Sequence, residues 1–240
     1  MLQAFLRGLT ELVFPGHCQA CGIFLNGKTR HLCKPCLQGL TYNTPPFCLK
    51  CSRHLNTLGT QGLCQDCSHQ DFAFDRAWGA CIYDDTLAKL IHAFKYHGKT
   101  GLRHTFSDVM IAFIDTYHVP MEQFDLIIPI PLHAVRQRER TFNQSQLLAE
   151  ILSTHYAIPL DLKALMRERS TETQTVLQAK QRWTNMSSAF KINDPSLIAD
   201  KSILLVDDLM TTGATTHNAA LALKEAGAAY VGVLTLSLAE

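Results

Sequence analysis

The segment ILLVDDLMTTGATT, at residues 203–216, constrains the fold more than any other part of this sequence. It begins with four apolar residues, Ile203 to Val206, a run that is typical of a buried strand. Two carboxyl side chains, Asp207 and Asp208, follow directly. A buried carboxylate without a partner is costly. We therefore expect both acids to reach a hydrated edge of a sheet, where the polar residues after them turn the chain.

Strand and helix patterns alternate around this segment. Strands are expected at Arg76 to Asp85, Asp125 to Pro131, Ile203 to Val206 and Tyr230 to Leu236, with weaker candidates at Leu162 to Met166 and Ala189 to Ile192. Helices are expected from Asp85 to Gly98, from Leu102 to Tyr117, from a cap at Asn143 to about His155, and from Thr215 to Ala226. This order predicts an α/β fold, a parallel sheet with helices on both faces. Ligands of such sheets bind beyond the carboxyl ends of the strands.

Cysteines dominate the amino-terminal part, where eight of the nine lie between Cys18 and Cys67. They form four C-x-x-C pairs: Cys18/Cys21, Cys33/Cys36, Cys48/Cys51 and Cys64/Cys67. Two thiolates at this spacing clasp one side of a tetrahedral zinc ion, so the four pairs predict two structural zinc sites with four sulfurs each. We expect sequential pairing, first with second and third with fourth, although the gaps also permit interleaving. Disulfides are the alternative, but nothing indicates export to an oxidising compartment.

Two domains follow from these patterns: residues 1–72, a double zinc ribbon with a short amino-terminal helix, and residues 73–240, the α/β domain.

The net charge of +1 and the 47% apolar content give no global argument for binding nucleic acid or a membrane. The ribbon itself is locally basic, which suits either a nucleic-acid backbone or a solvated surface. No apolar run is long enough to span a bilayer and no secretory signal is evident, so we expect a cytoplasmic protein.

The residues after the two acids are suited to binding a phosphate. Thr211, Thr212, Gly213, Ala214 and Thr215 lead into a helix. Amide N–H groups at a helix start attract anions, and threonine hydroxyls add further donors. Acceptors for sugar hydroxyls thus precede a loop for a phosphate, a combination that fits a sugar phosphate.

The string ILLVDDLMTTGAT resembles the ribose-phosphate motif of type I phosphoribosyltransferases. The resemblance implies that Asp207 and Asp208 hold the ribose hydroxyls of phosphoribosyl pyrophosphate (PRPP), with Met210 and the loop from Thr211 to Thr215 around its 5-phosphate. It also implies that Mg²⁺ accompanies PRPP. The acids would act by orientation and charge, because a carboxyl with its ordinary pKa of about 4 is ionised at neutral pH. A turn capped by aspartate is the alternative, and it explains only one acid.

A wider set of residues resembles the ComF/GntX family, which includes the competence protein ComF. The similarity covers the cysteine pairs, KYHG at residues 95–98, PIPLHAVRQRERTFNQ at residues 129–144, and the spaced set Arg169, Thr171, Gln174, Arg182, Asn185 and Phe190. The resemblance implies PRPP contacts from Lys95, Arg136 and Arg140, and a mobile loop at residues 167–185 that closes over the ligand. The alternatives are a solvated helix start for either arginine and a cation at a helix end for Lys95. Thr141 replaces the usual glycine of relatives, and a threonine enters positive φ less freely than a glycine.

Two functions follow from the resemblance. The first is a competence protein whose PRPP-binding domain assists the import or handling of transforming single-stranded DNA, together with other competence proteins at the inner membrane. The second is an active phosphoribosyltransferase that transfers the phosphoribosyl group from PRPP to an unidentified acceptor. Glutamine hydrolysis is not expected, because relatives that perform it need an amino-terminal cysteine and position 2 is Leu2. The expected location is the cytoplasm, or the inner membrane surface as a peripheral protein.

Overall fold

The structure, a computed structural model, describes residues 16–25, 31–55, 62–132, 142–167 and 189–239. The strands in this part of the chain are Arg76–Ile82 (β1), Leu126–Pro129 (β2), Leu165–Arg167 (β3), Phe190–Ile192 (β4), Ser202–Met210 (β5) and Tyr230–Leu238 (β6). The helices are Lys34–Gln38 (α1), Gln65–His69 (α2), Asp85–Tyr96 (α3), Leu102–Tyr117 (α4), Gln144–Tyr156 (α5) and Ala214–Glu225 (α6). The short amino-terminal helix expected from the sequence lies outside the described residues.

A four-stranded parallel sheet in the order β1, β6, β5, β2 forms the centre of the molecule. Helices α3, α4 and α5 cover one face with buried side chains such as Leu90, Phe106 and Leu148. Helix α6 covers the other face together with the β3–β4 pair. Burial on both faces explains the unbroken apolar run from Ile203 to Val206 in β5. The predicted α/β fold with helices on both faces is confirmed.

Capping side chains start two of the helices at the predicted places. Asp84 accepts a hydrogen bond at Oδ1 from the Leu87 N–H, at 2.8 Å, and α3 begins at the next residue. Asn143 accepts at Oδ1 from the Ser145 N–H, at 3.1 Å, and its own amide donates to the Ile130 carbonyl at the end of β2. Asn143 thereby fixes the start of α5 next to the carboxyl end of the sheet.

Two strand predictions were wrong in detail. Strand β5 does not stop at Val206 but continues to Met210, because its main chain stays paired with β6 through both acids. The weaker candidates, β3 and β4, do not join the parallel sheet. They pair with each other in antiparallel register, with Leu165 opposite Ile192 and Arg167 opposite Phe190.

The cysteine-rich part is attached to the edge strand β1 by main-chain hydrogen bonds. Asn43 N–H donates to the Ala80 carbonyl, and Ile82 N–H donates to the Thr41 carbonyl. The buried Asn43 amide also donates to the carbonyls of Ser52 and Gly79, at 2.7 and 2.9 Å. These bonds satisfy an edge that would otherwise be open to other chains.

No helix in the described ranges combines the length and the apolarity that crossing a bilayer requires.

Gly232 of β6 lies where two aromatic rings approach the sheet, and its replacement tests this architecture. A Cβ at this position would lie 2.6 Å from Phe124 Cζ and 3.0 Å from Trp78 Cζ3. We expect Gly232→Ala to lower the free energy of unfolding by about 1–3 kcal/mol, although alanine is favoured over glycine in strands. Urea unfolding measures the change. Gly16→Ala is the control, because its Cβ would meet nothing closer than 3.9 Å; equal stability of the two variants would contradict the described contact.

Candidate functional site

The two acids lie inside β5, near its carboxyl end. Asp208 is buried, with 6% of its surface exposed, and Asp207 is partly buried. Asp207 Oδ1 accepts two hydrogen bonds, from Ser145 Oγ at 2.8 Å and from the Asp208 N–H at 2.9 Å. Ser145 occupies the first turn of α5, so the Asn143 cap that positions this turn also positions the donor to Asp207.

Lys95, in the last turn of α3, neutralises the second acid. Its Nζ lies 2.6 Å from Asp208 Oδ2, and the exposed fractions of the two side chains are only 17% and 8%. The structure therefore brings the KYHG segment, through Lys95, directly against the acidic pair. Removing either partner of such a pair leaves a buried charge without compensation.

Asp207 has a strongly perturbed pKa. Burial, followed by the adjacent Asp208 carboxylate, raises the pKa of Asp207 from 3.8 to about 7; the Ser145 hydroxyl and Lys95 oppose the shift. The expectation of an ordinary pKa of about 4 was therefore wrong for this residue. A carboxyl group with this pKa exchanges its proton near neutral pH.

The loop after β5 presents main-chain donors. Gly213 has φ of 76°, in the left-handed region, and directly precedes α6. Among the described residues, the N–H groups of Thr211, Thr212 and Gly213 have no hydrogen-bond acceptor. The Thr216 hydroxyl donates back to the Gly213 carbonyl at 2.9 Å and holds the first turn of α6. Three unused N–H groups at a helix start form an arrangement that binds phosphate in many proteins.

Not all predicted ligand residues are equally placed. The Met210 side chain is buried in the core, and the Met210 carbonyl accepts from the Ala239 N–H. Neither its side chain nor its carbonyl is therefore available to a ligand. Arg136 and Arg140 lie outside the described residues, as does nearly all of the expected mobile loop. Only Arg167 of that loop is described, as the last residue of β3.

Sequence reasoning missed two residues of the site. Ser145 lies one residue after the FNQ string, and its position next to a helix cap was the only signal of its contact with Asp207. Arg53 comes from the ribbon, yet its guanidinium reaches the loop and donates to the Thr211 carbonyl at 2.5 Å. No spacing rule predicts a contact between residues so far apart in the chain.

The eight paired cysteines form two separate groups. Cys18, Cys21, Cys33 and Cys36 lie together, as do Cys48, Cys51, Cys64 and Cys67, and within each group the sulfurs are all within 4.8 Å of one another. The same main-chain contact recurs in both groups, since the third cysteine donates its N–H to the first sulfur. Sequential pairing is therefore what the structure shows, rather than interleaving or disulfides.

Four clustered sulfurs fit a tetrahedral zinc ion with no open position, the arrangement of a structural site. Hydrogen bonding to the Cys48 sulfur raises the pKa of Cys51 and of Cys67. These groups lose their protons readily only when a cation compensates for the accumulating negative charge. Cys81 behaves differently: it is buried in β1, outside both groups, and burial raises the pKa of its thiol to about 12.

Known relatives match nearly the whole chain. Competence protein ComFC of Bacillus subtilis is 31% identical over 228 residues, covering 89% of this chain and 87% of that protein. DNA utilization protein YhgH of Escherichia coli O157:H7 is 30% identical over 223 residues, covering 85% and 96%. The chain belongs to the ComF/GntX family. Two family models match its parts: a double zinc ribbon domain at residues 9–68 and a phosphoribosyl transferase domain at residues 143–238.

Among solved structures, this ComF/GntX-family chain is similar to glutamine PRPP amidotransferase from B. subtilis complexed with ADP and GMP, with 20% identity and a TM-score of 0.39. The match covers 57% of this chain and only 26% of that one.

The two cysteine groups predict a fixed metal content. We expect about two zinc ions per chain for the wild-type protein and about one for either Cys21→Ser or Cys67→Ser, because each substitution removes one ligand from one group. Elemental analysis of the purified proteins measures these ratios. Loss of both ions from either single variant would contradict two independent sites.

The raised pKa of Asp207 predicts a pH dependence of stability. Between pH 3.8 and about 7 the folded protein holds a proton on Asp207 that the unfolded chain releases. The contribution of Asp207 to the free energy of unfolding therefore falls as the pH rises through this window, by at most about 1.4 kcal/mol per pH unit, and is constant above it. Asp207→Asn keeps the acceptor for Ser145 but lacks the titration.

Urea unfolding of wild type and Asp207→Asn, at about pH 5 and at about pH 8, measures this effect. The free energies of unfolding of the two proteins are compared at each pH, because the contribution of the zinc sites is then the same in both. The variant gains stability relative to wild type at the higher pH. A difference that does not change with pH would contradict the raised pKa.

Proposed function

We propose that this ComF/GntX-family protein binds PRPP through the carboxyl end of β5 and serves in the handling of transforming DNA. The observation that carries the first part is that two acids, Asp207 and Asp208, lie next to three main-chain N–H groups that have no acceptor among the described residues. Carboxylates that accept from hydroxyls, next to N–H groups that donate to a phosphate, match a ribose 5-phosphate, which has both kinds of group on one small sugar.

Charges around the acids suit the rest of the ligand. Lys95 Nζ lies 2.6 Å from Asp208 and lowers the negative charge of the acidic pair. Without this cation a ligand with several phosphates would meet two uncompensated carboxylates. Mg²⁺ would accompany PRPP and would neutralise charge on its pyrophosphate. Asp207 and Asp208 would accept hydrogen bonds from the ribose hydroxyls.

The proposed role with DNA rests on the relatives. Their printed names include a competence protein and a DNA utilization protein, and the similarity extends over the ribbon as well as the α/β domain. We infer that the protein assists the import or handling of transforming single-stranded DNA, with PRPP binding as its regulatory or structural input. Other competence proteins at the inner membrane are the proposed partners.

A second candidate, phosphoribosyl transfer, is favoured by the raised pKa of Asp207. In this reaction an acceptor attacks the anomeric carbon, the bond from that carbon to the pyrophosphate oxygen breaks, and pyrophosphate leaves with the electron pair. The acceptor must lose a proton, and a carboxyl with a pKa of about 7 is matched to proton transfer at neutral pH. Release of pyrophosphate from PRPP, dependent on an added acceptor, distinguishes this candidate from binding alone.

Titration of PRPP with Mg²⁺ by isothermal calorimetry tests the site. We expect Asp207→Asn combined with Asp208→Asn to weaken binding at least about tenfold, because neutral amides lose charge-assisted acceptance from the ribose hydroxyls. The matched control is Asp108→Asn combined with Glu225→Gln, which removes the same charge from exposed positions elsewhere. Unchanged affinity in the first variant, or an equal loss in the control, would refute the site.

Transformation assays with the same variants test the cellular role. The acidic-pair variant should lower the transformation frequency at normal protein levels, while the control variant should not. Normal transformation by a variant that has lost PRPP binding would separate the ligand from the proposed role with DNA.

A further inference from the structure

We propose that Arg53 is a positioning residue that makes the second zinc ribbon, residues 48–67, part of the phosphate site. The guanidinium of Arg53 donates to the carbonyl of Thr211 at 2.5 Å. The same guanidinium forms an ion pair with Asp66, which lies between the ligands Cys64 and Cys67. This inference rests on the proposed binding of PRPP and names a determinant of that binding outside the α/β domain.

Both the main chain and the side chain of Arg53 are close to ligands of the second cysteine group. It follows Cys51 by two residues, and Asp66 is held in the short helix α2 together with Cys67. The Arg53 side chain is only 15% exposed. A guanidinium with several fixed partners is a more rigid contact than a surface lysine, because its planar fork fixes the direction of each bond.

Peptide geometry explains how this contact affects the ligand loop. In a planar trans peptide the carbonyl and the following N–H point in opposite directions. Arg53 holds the Thr211 carbonyl toward the ribbon, so the Thr212 N–H must point away from the ribbon. Arg53 thus aims one of the donors that the phosphate needs without touching the phosphate itself.

The preceding peptide is fixed in the same manner. The Met210 carbonyl accepts from the Ala239 N–H at 2.9 Å, which directs the Thr211 N–H away from Ala239. Two successive donors of the loop are therefore aimed by bonds to their preceding carbonyls. One of these bonds belongs to the α/β domain, and the other is supplied by the ribbon.

The segment that follows the ribbon supports the loop from a further side. The ring of Phe72 lies against Gly213, where a Cβ would approach Phe72 Cε1 to 2.7 Å. His217 of α6 accepts at Nδ1 from the Ala73 N–H at 3.0 Å. Position 213 thus needs glycine both for its backbone angle and for the aromatic ring beside it.

Thermodynamic linkage gives this arrangement a measurable consequence. If PRPP orders the loop and Arg53 connects the loop to the metal group, then PRPP must stabilise the second ribbon by the same factor by which the ribbon favours PRPP. We expect PRPP to slow the loss of one of the two zinc ions to a chelator. The ion of the group at Cys18, Cys21, Cys33 and Cys36 has no such connection through Arg53 and should be released at an unchanged rate.

The experiment measures PRPP affinity and zinc release for wild type, Arg53→Ala and Lys34→Ala. Lys34 is an exposed cation next to a ligand of the first group, so its variant removes a ribbon charge without altering the loop. We expect Arg53→Ala to bind PRPP about tenfold more weakly, the loss of one charge-assisted bond, and to lose the protection of zinc by PRPP. Lys34→Ala should match wild type in both measurements.

Each outcome decides the proposal. A merely structural role would speed zinc release from Arg53→Ala but would leave the ratio of rates with and without PRPP unchanged, and that result would overturn the inference. If Arg53→Ala does not retain two zinc ions, Asp66→Asn replaces it, since it keeps the arginine and weakens only its second anchor. If wild type binds PRPP but PRPP does not slow zinc release, the proposed coupling is overturned and the proposed function is not. If wild type does not bind PRPP, the proposed function is overturned as well.

Discussion

Two adjacent carboxyl groups at the end of a strand buried on both faces are the constraint on which the rest of the structure depends. Asp207 and Asp208 repel each other and lose hydration, and either effect alone would destabilise the fold. The protein compensates with Lys95 from α3 and Ser145 from α5, two helices on the same face of the sheet. The last turn of α3 and the first turn of α5 therefore both contact the acids. A pair of buried carboxyl groups that lowers stability and needs partners from two helices is more typical of a binding site than of a structural element.

The loop after the acids is held by contacts from other parts of the chain as well as by local hydrogen bonds. The Met210 and Thr211 carbonyls accept from Ala239 and Arg53, and the Gly213 carbonyl accepts from the Thr216 hydroxyl. The N–H groups of Thr211, Thr212 and Gly213 have no acceptor among the described residues. Main-chain N–H groups without acceptors at the start of a helix are suited to binding an anion. The Arg53 contact also gives the zinc ribbon a role beyond stability, because the ribbon contributes one of the contacts that hold the loop.

Sequence patterns predicted the architecture because periodicity and capping are local. The apolar run at Ile203 to Val206 indicated a buried strand, Asn143 indicated a helix start, and the C-x-x-C spacing indicated four-sulfur groups, and all three are confirmed. The continuation of β5 to Met210 could not be predicted, since strand pairing with β6 overrides the polarity of the acids. The antiparallel pairing of β3 with β4 could not be predicted either, because a strand of three residues has too short a pattern to indicate its partner.

The electrostatic details of the site depend on contacts between distant parts of the chain. The raised pKa of Asp207 follows from its burial and from the carboxylate beside it, and the sequence shows only the second of these causes. The Arg53 contact joins the ribbon to the loop across most of the chain, so only the folded structure shows it.

A crystal structure of the zinc-loaded protein soaked with PRPP and Mg²⁺ tests the central claim most directly. The account predicts the 5-phosphate within hydrogen-bond distance of the N–H groups of Thr211, Thr212 and Gly213, with the ribose hydroxyls at Asp207 and Asp208. PRPP bound elsewhere on the protein, with this loop closed by its own side chains, would contradict it.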